Sequence, residues 1–146
     1  MVRLTSLPLR CIASVILAGI AGCGDDGLPK TGSVTGTITL NGEPIQGVQL
    51  EFTPSEKIRP SYGMTDSKGQ YKAQFVTVKS GVALGPCVVR LFIYRGDSEK
   101  QYLPAKYNVD ASKNSDFNLD VKENGLVFNC DIKYAGTAIP AYVAPK

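Results

Sequence analysis

An all-β fold, an antiparallel two-sheet sandwich of about seven strands, is what this sequence predicts for its body, and three features predict it. Apolar and polar residues alternate along several short runs, the period of a strand with one face buried. Gly, Asn, Asp and Pro cluster between those runs at turn-forming positions. No stretch beyond the first 22 residues shows a helical period. A closed barrel is the alternative arrangement of the same strands.

The elements follow in order. Across 34–40, Val34, Gly36, Ile38 and Leu40 fall on one side and Thr35, Thr37 and Thr39 on the wet side. Asn41-Gly42 comes next, the strongest two-residue hairpin signal, because both residues accept positive φ. The following strand points Val48, Leu50 and Phe52 inward, and Gly47 beside a parity break at Ile45 marks a bulge. After a polar loop, 62–65 reads as a short strand, Asp66-Ser67-Lys68-Gly69 as a turn, and 70–76 as the strand leaving it. The run 87–94 is nearly all apolar, which suits the middle of a sheet. Phe117, Leu119 and Val121 alternate with polar residues, as do Phe128, Cys130 and Ile132. The tail 135–146, rich in Ala and Pro, has no period and reads as an irregular extension.

The start of the chain has a different character. Arg3 and Arg10 precede or open an apolar run at 11–21, which at about 11 residues falls short of the about 20 a spanning helix needs. It suits an export signal. The string Leu17-Ala18-Gly19-Ile20-Ala21-Gly22-Cys23 resembles a bacterial lipobox. That resemblance implies removal of a signal peptide 1–22 and a diacylglycerol on the Cys23 thiol, with each buried methylene contributing about 0.8 kcal/mol to anchoring. An ordinary secretory signal with an incidental cysteine is the plainer alternative. Residues 23–32 then read as a flexible tether and 33–134 as the domain, exported and membrane-anchored in the cell envelope, on the periplasmic side or the outer surface.

Composition narrows the function. The chain is 43% hydrophobic and 20% charged, as packed globular chains are. Its net charge of +3 includes both leader arginines, so the body is close to neutral and offers no basic face for nucleic acid. There is no histidine, which removes imidazole general bases and the commonest metal ligand. No carboxylate or lysine constellation stands out in its place. The expectation is a chain that is no enzyme and carries no cofactor or metal.

Two long strings bear a further resemblance. Val34-Thr35-Gly36-Thr37-Ile38-Thr39-Leu40-Asn41-Gly42-Glu43-Pro44-Ile45-Gln46-Gly47-Val48 and Tyr62-Gly63-Met64-Thr65-Asp66-Ser67-Lys68-Gly69-Gln70-Tyr71 resemble the carboxypeptidase regulatory-like domain, a transthyretin-like or prealbumin-like sandwich. Leu103-Pro104-Ala105-Lys106-Tyr107-Asn108 is similar to a segment of small lipoproteins built on one such domain. The resemblance implies a module that sits beside chemistry without performing it. Hydroxyisourate hydrolases share the fold but rely on histidines, which this chain lacks.

Several residues carry competing readings. Cys87 and Cys130 both fall at inward parity, so they form either a disulfide in an oxidising compartment or two separately packed thiols. Asp66 suits a turn better than a calcium loop, which needs more oxygens than Asp66 and Ser67 supply. Lys106 and Tyr107 either line a ligand groove or pack a loop over a sandwich edge. Lys72, Asn118 and Glu51 have the chemistry of an isopeptide bond, but alternation turns them outward. The leading function is a membrane-anchored structural or interaction module with an envelope protein or glycan as partner. A carbohydrate- or small-ligand-binding protein is the alternative, which a cluster of exposed aromatics would favour, and a carboxylate-based hydrolase comes third.

Overall fold

The computed structural model describes residues 27–96 and 100–144; the leader 1–22 and Cys23 lie outside the described residues. In chain order the strands are β1 (Thr31–Gly32), β2 (Val34–Leu40), β3 (Glu43–Pro44), β4 (Gln49–Pro54), β5 (Ser61–Met64), β6 (Gln70–Lys72) and β7 (Gln74–Val76). They continue as β8 (Lys79–Ser80), β9 (Val82–Ala83), β10 (Gly85–Phe92), β11 (Asn118–Val121), β12 (Leu126–Val127) and β13 (Cys130–Ile132). Three single-turn 3-10 helices at Ala105–Tyr107, Ala111–Lys113 and Ser115–Phe117 are the only helical elements among the described residues.

One sheet has the order β11-β10-β4-β5-β7-β8, with every neighbouring pair antiparallel. The other is built on β2. Strands β3 and β6 pair antiparallel along one side of β2, while β12 and β13 pair along the other side and run parallel to it. Strands β1 and β9 make a short ribbon. Side chains of both sheets meet in one core, where Val34, Ile38 and Ile132 pack with Leu50, Phe52, Val89 and Leu91. Each is fully buried, worth about 1.5–3 kcal/mol apiece relative to exposure.

Local chemistry explains the turns. Asn41 and Gly42 take φ of 52° and 91°, and Leu40 faces Glu43 across the hairpin they close. Asp66 Oδ1 accepts from the N–H of Lys68 at 2.8 Å and of Gln70 at 2.9 Å, so this residue builds the turn before β6. Thr65 Oγ1 accepts from Val48 N–H and donates to the Ile45 carbonyl, which braces the bulge at Gly47.

Two features differ from the sequence expectation, and a third adds to it. The sheet built on β2 is mixed, because the last strands run parallel to β2 and not antiparallel. Alternation sets which face a strand buries but not its direction. The run 70–76 divides between the two sheets: β6 pairs with β2, Ala73 donates to the Val34 carbonyl at 2.8 Å, and β7 then pairs with β5. This split, the division of the run around Phe128 into β12 and β13, and the two-residue strands β1, β3, β8 and β9 bring the strands among the described residues to thirteen. The tail forms no strand at 135–144, yet it is docked. Arg95, buried, donates to the carbonyls of Gln46, Gly47, Tyr94 and Pro140 at 2.9–3.1 Å and lies 5.5 Å from the Tyr142 ring centroid.

The parallel docking of β12–β13 depends on Gly36. A Cβ there would lie 1.9 Å from the Phe128 carbonyl oxygen, which is backbone and cannot rotate away. Gly36→Ala is therefore expected to destabilise at or above the top of the about 1–3 kcal/mol typical of overpacking. Urea unfolding measures it, and a midpoint equal to wild type would show that the strands do not depend on this contact.

Candidate functional site

The β12–β13 run is the outer strand of its sheet, and successive residues of a strand turn their backbone groups to opposite sides. Leu126 N–H donates to the Ser33 carbonyl at 2.8 Å, Phe128 N–H to the Thr35 carbonyl at 2.9 Å, and Asn41 N–H to the Ile132 carbonyl at 2.9 Å. These alternate residues face β2. Val127, Asn129 and Asp131 face the other way, and their backbone N–H and C=O groups have no partner among the described residues. Lys133 N–H, next on that side, donates to the Tyr107 hydroxyl at 2.8 Å.

A cleft of about 490 Å³ opens along this edge. The 3-10 turns form its far wall, where Lys106, Asn114 and Asp116 stand opposite the strand. Phe117 and Phe128 form the floor, their rings edge to face at 5.7 Å, and Tyr107 meets Phe117 at 6.0 Å. Lys106 and Tyr107 thus line a groove and also close the sandwich edge, so the two readings of these residues meet in one place. Lys106 Nζ sits 4.8 Å from the Tyr107 ring centroid.

Two ionisable groups here, Asp131 and Cys130, are held well away from their ordinary values. Asp131 accepts from the Lys133 ammonium, from Thr39 Oγ1 at 2.7 Å and from Gly42 N–H at 2.8 Å, which holds its carboxyl at about 2. Burial pushes the Cys130 thiol up to about 11, and Asp131 and Asp116 add to that rise while Lys106 opposes it. A thiol so placed is protonated near neutral pH and is no nucleophile. Asn129 Oδ1 accepts from Thr37 N–H at 2.8 Å and Asn114 Oδ1 from Asp116 N–H at 3.1 Å, so both amides also serve the backbone.

Cys87, on β10, is buried in the opposite sheet, and burial followed by Asp120 raises its thiol to about 11. Both cysteines are free thiols in the structure. Both also raise the Tyr71 phenol, already pushed up by burial, whose hydroxyl donates to the Phe128 carbonyl at 2.9 Å. The isopeptide trio is dispersed: Lys72 is exposed, Glu51 lies 3.6 Å from Arg90, and Asn118 donates to the Ser112 and Asn114 carbonyls. No group of three or more His, Cys, Asp or Glu able to hold a metal occurs among the described residues.

A second, shallower depression of about 530 Å³ lies on the outer face of the six-stranded sheet. Tyr62 is 41% exposed and Tyr94 42% exposed, and Tyr94 stacks on Phe92 at 6.0 Å. Gln49 sits between Phe92 and Met64 in register, and Glu51 between Arg90 and Tyr62, so rings and polar groups share this face.

Asn114, Asp116, Asn129 and Asp131 carry no sequence motif; they read as turn or wet-face residues, and only the fold brings them to one cleft. No family model matches the chain, and no curated protein or solved structure does.

Two measurements check these states. The Asp131 carboxyl titrates at about 2 when folded against about 4 when unfolded, so the stability it contributes is complete above about pH 4 and lost as pH falls through about 2. The melting temperature of Asp131→Asn should therefore change less than that of wild type across this window. At about pH 7, iodoacetamide should modify Cys130 slowly and the more deeply buried Cys87 more slowly still, with both rates rising toward the thiol values of about 11. Unfolding without reductant should then expose both to full alkylation, whereas recovery of a linked Cys87–Cys130 peptide would reveal a bridge.

Proposed function

We propose that this chain is an exported lipoprotein, held in the cell envelope by lipid on Cys23, whose sandwich is a non-catalytic structural or interaction module. The observation that supports the non-catalytic reading is the state of the cleft: its thiol is protonated and its Asp131 carboxylate is committed to three donors. Neither of these two groups is poised to give or take a proton near neutral pH. The lipobox-like string and the apolar run before it support the anchor. Thr31 already pairs with Ala83, so the chain from Cys23 to the first strand can span at most about 29 Å, which would keep the domain near the membrane surface.

We read the domain as carboxypeptidase regulatory-like and transthyretin-like. The support is the order of the matching strings, which fall on β2 and β3, on β5 and β6, and on the first 3-10 turn. A second reading, binding of carbohydrate or another small ligand, is favoured by the rings and polar groups sharing the outer sheet face. Under that reading, Tyr62→Ala together with Tyr94→Ala would lower retention on immobilised polysaccharide.

Cys23→Ser tests the anchor, because a hydroxyl does not replace the thiol in lipid transfer. The variant is expected to leave the membrane fraction after detergent-free washing. Retention at the wild-type level would overturn the lipoprotein reading.

A further inference from the structure

We propose that the cleft beside β12 and β13 binds an extended, uncharged peptide segment as an added strand, hydrogen-bonded to the backbone of Val127, Asn129 and Asp131. This deepens the interaction-module reading and rests on it. A strand edge with unpaired N–H and C=O groups is a template for another chain, and proteins guard against unwanted pairing by covering such edges or charging them. Here no described residue pairs with the outward backbone of this edge, and its charges, Asp131 with Lys133 among them, are of both signs. Five consecutive residues leave alternate backbone groups without a partner among the described residues, and the strand's next outward residue, Lys133, is sealed by the Tyr107 hydroxyl, which marks one end of the site.

The surroundings specify the occupant. Lys106, Asn114 and Asp116 of the 3-10 turns line the same cleft as the strand edge, and a single extended segment lying between them would meet both. The charges at the site balance, Lys106 and Lys133 against Asp116 and Asp131, so recognition does not call for a charged ligand. Every second side chain of an added strand would point down onto Phe117, Phe128 and the Cys130 thiol, which favours apolar residues at alternate positions. Peptide groups donate and accept along the strand, as the unpaired edge requires, and this distinguishes a peptide from an apolar small molecule.

Val127→Pro isolates the edge. Val127 is 66% exposed and its N–H points away from β2, so proline removes an outward donor and leaves the ladder to β2 intact. The probe is a phage-displayed library of random heptapeptides, selected against the full-length lipidated protein in detergent micelles. Selected peptides are expected to alternate apolar residues and to slow amide exchange at Val127, Asn129 and Asp131 by about tenfold. They should bind Val127→Pro at least about tenfold more weakly, with its melting temperature near wild type. Peptides that protect amides elsewhere, or that bind Val127→Pro as well as wild type, would overturn this site and leave the interaction-module reading standing. A library that yields no binder would also overturn it, while the anchor is judged separately by the Cys23→Ser fractionation.

Discussion

The Phe128 carbonyl lies directly against Gly36 and accepts the Tyr71 hydroxyl at 2.9 Å, and the sheet that carries the cleft depends on this contact. Only a residue without a Cβ lets the last strands come this close to β2. Tyr71 supplies the donor that satisfies the buried carbonyl, and its ring, 6.1 Å from Phe52, ties the contact to the opposite sheet. Once Phe128 is seated, the chain beyond it lies parallel to β2, Asn129 reaches Thr37 N–H, and Asp131 reaches the hairpin at Gly42. The outward backbone groups of Val127, Asn129 and Asp131 follow from the same placement.

The cleft brings together side chains whose local surroundings fix the states of two of them. A thiol, two carboxylates and a lysine line one space, but burial holds the thiol protonated and hydrogen bonds hold Asp131 as a structural anion. What the cleft still offers is backbone. Under the proposed function, that hydrogen-bonding capacity beside Phe117 and Phe128 is what the cleft would use. Display near a membrane would suit such a site, since a short tether restricts how far the domain can search.

Arg95 plays the corresponding role at the far end of β10. It is a buried cation whose charge is met by four carbonyls and the face of Tyr142, and burial lowers its pKa. The carbonyls come from both the bulge and the tail, so one guanidinium fastens the segment around Pro140 to the loop between β3 and β4. Gly47 makes room, because a Cβ there would stand 2.2 Å from the Tyr142 ring. An extension with no period is thereby an ordered part of the domain.

Local chemistry made much of this legible in the residues alone. The buried faces of β2, β4 and β13 follow from a period of two; the Asn41-Gly42 hairpin follows from tolerance of positive φ, and the Asp66 turn from a side-chain oxygen within reach of nearby N–H groups. The same local rules are silent on which strand lies beside which, and in what direction. That Phe128 meets Gly36, that the run 70–76 changes sheets at Ala73, and that Arg95 gathers carbonyls from Gln46 to Pro140 are non-local outcomes. The open edge and its cleft belong to that second class. A backbone N–H looks the same in any sequence, and whether it finds a partner depends on the neighbour that tertiary packing places beside it.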